Sequence, residues 1–197
     1  MGKYAGLLAT DAKNISIDEI KLGVVEYTAA QAVIADADAL LDGQATAADA
    51  VTVADEFLAQ PPFARSITIL PGGVTADVAA GSITVDGTNI NDEVITEDVA
   101  ILANATTAVE TVKAFKTVTK VTFPIQDGAG AVYDVGFGDK LCLPIMSAYN
   151  IVLEAMLDGV RETTFPAVVY DADEIEKNTI DLASVLNGKV VRVFVFQ

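Results

Sequence analysis

Beyond Pro61-Pro62 the sequence alternates polar and apolar residues with a period of two, and this pattern constrains the fold more than any other feature. Ser66-Ile67-Thr68-Ile69-Leu70 alternates, and Pro71-Gly72-Gly73 reads as the turn that follows it. Ser82-Ile83-Thr84-Val85 ends at Asp86-Gly87, and Glu93 to Leu102, Lys113 to Phe123 and Ala131 to Val135 repeat the style. Strands of five to ten residues divided by Gly, Pro, Asn and Asp at short intervals are the mark of a sandwich or barrel. The expected fold is mainly β, an antiparallel β-sandwich of Ig-like or jelly-roll-like type.

Two further signals sit near the C-terminus. Asp158-Gly159 lies between apolar-bearing runs, and both residues of a tight hairpin turn must take positive φ, which Asp and Gly tolerate. After Asn187-Gly188, the run Val190-Val191-Arg192-Val193-Phe194-Val195-Phe196 is rich in β-branched and aromatic residues, so it reads as a central strand.

Before the double proline the composition is Ala-rich and acidic. Residues 45–60 carry Val51, Ala54, Phe57 and Leu58 at helical spacing, with Thr46 or Asp49 able to cap, which predicts a short α-helix. Its apolar stripe is narrow and needs a partner surface. Residues 1–27, with Ile15, Ile17, Ile20, Leu22, Val24 and Val25, read as a strand or arm. The expected organisation is therefore an N-terminal anchoring segment over 1–60 and a β-sandwich domain over 61–197, with a sub-boundary near 144. Val51, Ala54, Phe57 and Leu58 are the expected partner-binding residues.

Composition narrows the chemistry. The chain has 197 residues, no His, no Trp and one Cys. Without imidazole there is no Ser-His or Cys-His nucleophile pair, and the usual His-bearing zinc sites are excluded. Cys142 has apolar neighbours and reads as a packing thiol. A net charge of -16 repels phosphate backbones and anionic membranes. No uncharged run approaches the roughly 20 residues of a membrane helix, and no export signal is evident. The expectation is a protein with no catalysis, no cofactor, no nucleic acid and no membrane.

Individual motifs agree. Gly128-Ala129-Gly130 and Gly136-Phe137-Gly138 lack the third glycine of a dinucleotide loop and read as tight β turns, and no Gly-Lys-Ser/Thr is present. Asp36, Asp38 and Asp42 put Leu40 where a calcium loop needs a ligand, and Asp171, Asp173, Glu174 and Glu176 lack the glycine for its sharp turn. Both clusters read as solvated acidic surface.

The stretch Ile67-Thr68-Ile69-Leu70-Pro71-Gly72-Gly73-Val74-Thr75-Ala76-Asp77-Val78, with Ile83 to Asn89, Ile95-Thr96-Glu97, Lys113 to Thr119, Leu153 to Arg161 and Ile175 to Gly188, resembles structural proteins of tailed bacteriophages. The resemblance covers roughly residues 65–197, and the first 60 residues are similar only loosely to capsid-anchoring segments of head-fibre and decoration proteins. It implies a virion protein made in the host cytoplasm and bound outside the capsid, docking on the major capsid protein or other virion proteins through its N-terminal segment. Homo-oligomers, trimers among them, are usual for such proteins. It also implies that deleting 1–60 leaves a folded domain that no longer binds capsids. A tail or head-to-tail connector component and a carbohydrate-binding adhesin module are the alternatives.

Overall fold

The computed structural model describes residues 21–196. The strands are β1 (Leu22–Tyr27), β2 (Asp36–Ala45), β3 (Thr52–Ala54), β4 (Arg65–Gly73), β5 (Gly81–Thr88), β6 (Val94–Ile101) and β7 (Val109–Glu110). They continue with β8 (Thr117–Phe123), β9 (Ala131–Cys142), β10 (Val152–Leu157), β11 (Val160–Arg161), β12 (Ala167–Val169), β13 (Thr179–Asp181) and β14 (Val191–Phe196). The only helical turns among the described residues are short 3-10 turns at Thr75–Asp77 and Ile175–Lys177. Residues 1–20, including the Ile15, Ile17 and Ile20 part of the expected arm, lie outside the described residues.

The protein is mainly β, with antiparallel sheets packed as a sandwich, as the period-two pattern implies. Three sheets carry the strands. The first has the order β1-β14-β10-β11, the second β12-β13-β9-β4-β7 with β2 also on β9, and the third β3-β8-β5-β6. The alternation places every second side chain inside. Ile67 and Ile69 of β4, Ile83 and Val85 of β5, Phe123 of β8 and Tyr133 and Val135 of β9 are all fully buried in one core. A second core gathers Tyr27, Leu141, Leu143, Ile180, Val191 and Val193 around the first sheet.

The long strand β9 serves both cores. Its first half pairs with β4 and β2, and its end pairs with β13. Between Ile67↔Phe137 and Arg65↔Leu141 the register slips, so Gly138-Asp139-Lys140 bulges opposite Ser66. Gly136-Phe137-Gly138 is therefore not a turn: it lies inside β9, because β2 crosses so closely that a Cβ at position 136 would overlap the Asp36 carbonyl. Gly128 and Gly130 do belong to the turn before β9, where Asp77 accepts the Gly130 N–H at 2.8 Å.

The hairpin signal is realised. Asp158 and Gly159 have φ of 53° and 77°, and Leu157 pairs with Val160. β14 lies between β1 and β10, as its composition implies. Pro71-Gly72-Gly73 differs from the reading: these residues stay paired with Tyr133, Val132 and Ala131. Proline is tolerated because β7 has ended, pairing only with Thr68 and Ile69, so that side of β4 needs no donor there.

The α-helix expected over residues 45–60 is absent, and β3 stands in its place. Val51, Thr52 and Val53 are consecutive β-branched residues, poor in a helix and good in a strand. Tertiary pairing takes them, with Thr52, Val53 and Ala54 opposite Phe123, Thr122 and Val121. Thr46 does not cap a helix either, because its hydroxyl donates to the Ala131 carbonyl at 2.9 Å. Residues 22–54 thus give a strand to each of the three sheets. Deleting 1–60 removes all three.

Candidate docking surface

β3 is an edge strand, with β8 on one side and no strand on the other among the described residues. Its alternation buries Ala54 at 6% exposure and leaves Val51 and Val53 outside, each 53% exposed. Beyond it the chain drapes over β2, where the Leu58 N–H donates to the Leu40 carbonyl at 3.0 Å. Phe57 packs half-buried against the first core, and the Leu58 side chain remains 75% exposed. Phe57, Leu58 and Leu41 line a groove of about 340 Å³ with Asp42, Gln44 and Glu56 at its polar margin.

The four expected partner-binding residues are therefore close in sequence but not on one stripe. Val51 and Leu58 face outward, Phe57 forms the groove wall, and Ala54 belongs to the core. Helical spacing picked Ala54 and passed over Val53. The alternation Val51-Thr52-Val53-Ala54 contained the signal for Val53. An exposed apolar wall with carboxylates beside it suits an apolar side chain flanked by cationic groups.

The acidic clusters have other duties. The Asp171 carboxylate accepts the N–H groups of Asp173 and Glu174, and these bonds hold its pKa below the usual carboxylate range. Asp38 is shifted upward by its hydrogen bond with Asp36 and by that residue's charge. Among the described residues no group of three Asp, Glu, Cys or His side chains could hold a metal ion.

Cys142 is fully buried, with the Ile175 carbonyl 3.8 Å from Sγ. Burial, with a contribution from the Glu176 charge, pushes its thiol up to about 12. A thiol held neutral at pH 7 is a poor nucleophile.

The strongest internal electrostatic feature escaped the sequence reading. Arg65 is fully buried, its Nε donating to the Gly138 carbonyl at 2.6 Å and one terminal nitrogen to the Val33 carbonyl at 3.1 Å. Its guanidinium lies 4.8 Å from the centre of the Phe137 ring. The other terminal nitrogen faces Asp139 at 3.6 Å, within ion-pair range but without a hydrogen bond. Desolvation lowers its pKa to about 10, so it remains a cation at neutral pH. Only the apolar flanks of Phe63-Ala64-Arg65-Ser66-Ile67 could have hinted at this burial.

Among the described residues no helix is long and apolar enough to cross a membrane. Comparison with protein-family models, curated proteins and solved structures returns no match.

Proposed function

We propose that this chain is a non-enzymatic structural protein of a tailed-bacteriophage particle, a capsid decoration or head-fibre-type subunit that docks on the major capsid protein. The observation that carries the reading is the exposure of Val51 and Val53 at the β3 edge and of Leu58 beside the groove, apolar side chains left facing solvent on a chain of net charge -16. Covering such apolar surface is favourable, while the charge keeps the chain away from packaged DNA. The resemblance of residues 65–197 to phage structural proteins points the same way.

The test is reconstitution on particles that lack the protein. Wild-type chain should bind stoichiometrically, and Leu58→Asp, at an exposed position, should fold normally yet bind at least about tenfold more weakly, because an apolar anchor is lost and a carboxylate is desolvated. Equal binding by both proteins would remove this edge from the docking role. Copy number separates locations: hundreds of copies mean capsid, a single ring means connector.

A further inference from the structure

We propose that the free edge of β1 is a self-association surface, through which two copies of this chain join their first sheets antiparallel about a two-fold axis. β1 pairs with β14 without a register shift from Leu22↔Phe196 to Tyr27↔Val191, and no strand among the described residues covers its other side. It has no proline, no bulge and no charge pointing into the core to blunt it, and its one charged side chain is Glu26. Leu22 is 75% exposed and Val24 54%.

Charge selects this edge and its occupant. Copies of net charge -16 can meet only where carboxylates do not face each other. The other edges are acidic or too short: β2 carries Asp36, Asp38 and Asp42, β6 carries Glu97 and Asp98, β3 runs into Asp55-Glu56, and the uncharged or basic edges β12 and β11 span only three and two residues. The single carboxylate of β1, Glu26, is already compensated by Arg192 at 2.7 Å.

Parity then sets the register. Leu22, Val24 and Glu26 share the outer face, and side chains opposite each other in an antiparallel pair must share a face. A two-fold at Val24 meets this condition. It sets Val24 opposite Val24 of the second copy and Leu22 opposite Glu26 of the second copy. Because Phe194 lies beside Val24 on β14, the joined sheet acquires a continuous apolar row of two Phe194 and two Val24 side chains. The contact is self-complementary and closed, so it yields dimers rather than filaments. It uses a different sheet from the β3 edge and does not depend on capsid docking.

The experiment is sedimentation equilibrium on the full chain across micromolar concentrations, with no capsid present. The wild type should be dimeric, and Val24→Lys should raise the dissociation constant at least about tenfold by placing two like charges at the axis. Val94→Lys, at an exposed site on β6, should leave the dimer unchanged. Under oxidation Val24→Cys should cross-link into dimers and Val94→Cys should not. A strict monomer, or a dimer indifferent to Val24→Lys and not captured by Val24→Cys, overturns the proposal. So does a monomer that dimerises only once residues 1–20 are deleted, since that result assigns the edge to the chain's own N-terminal segment.

Discussion

Replacing Arg65 by alanine should loosen the contact between the β9 bulge and the segment joining β1 to β2, and the structure gives its magnitude. Arg65 supplies charged donors to the Gly138 and Val33 carbonyls, joining the β9 bulge to the segment between β1 and β2. Hydrogen bonds to a charged group contribute about 1.5–3 kcal/mol each, and loss of both also leaves two buried carbonyls unsatisfied. Against this stands the cost of burying the charge: a pKa moved from 12.5 to about 10 corresponds to about 3 kcal/mol. Removing the charge recovers that amount, but removing the side chain also leaves a cavity against Phe137. The net loss for Arg65→Ala is about 3–5 kcal/mol, in the range for breaking a buried ion pair from one side. For a chain of this length that lowers Tm by about 10 °C. Arg65→Met loses the same two hydrogen bonds but fills the stem volume, so it should be less destabilised than Arg65→Ala by the cavity part of the loss, about 1 kcal/mol. Urea unfolding followed by tyrosine fluorescence measures both. An Arg65→Ala protein within about 1 kcal/mol of wild type would refute the reasoning that this cation holds the β9 bulge to the segment between β1 and β2.

Further outcomes follow from the same contacts. The Cys142 thiol is raised from 9.0 to about 12 in the folded protein, so its contribution is complete below pH 9 and is lost as pH rises toward 12. Tyr27, raised by burial and donating to the Cys142 carbonyl at 2.8 Å, adds a loss of the same sign. Arg65 has the opposite sign and Tyr133 the same sign as Tyr27, all setting in from about pH 9, so the thiol is isolated by comparing wild type with Cys142→Ala over the same interval. Between pH 9 and 10 wild type should lose about 1 kcal/mol more stability than Cys142→Ala, as read by urea midpoints. The native thiol should also resist a colorimetric thiol reagent at pH 8 and react only on unfolding. Deleting residues 1–60 removes one strand from every sheet, so the remainder should lack a cooperative transition in circular dichroism; a folded, soluble product would contradict the pairing of β1, β2 and β3.

The β class was legible because alternation is dictated locally: each residue of a half-buried strand faces either core or solvent, and β4, β5, β6 and β8 announce themselves in this way. The Asp158-Gly159 turn was equally legible, since its chemistry is fixed by φ. The segment 45–60 was misread because alanine fits a helix and a strand alike, and the decision fell to long-range pairing with β8. Gly136 and Gly138 looked like turn residues because local sequence records the absence of a side chain, not the neighbouring strand that requires it. Arg65 was invisible for a similar reason: its partners are backbone carbonyls at positions 33 and 138, which leave no trace in residue identity. Of the docking surface, Val51, Phe57 and Leu58 could be picked out by hydropathy, but Val53 and Leu41 join them only once β2 and β3 are placed.

The measurement that bears most directly on the proposed role is a map of intact phage particles containing this chain, compared with particles from which it is missing. The proposed role requires density on the outer capsid at repeated lattice positions, in hundreds of copies, with Val51, Val53 and Leu58 covered by the major capsid protein. Absence of the chain from the particle, or density confined to a single ring at the head-to-tail junction, would contradict it.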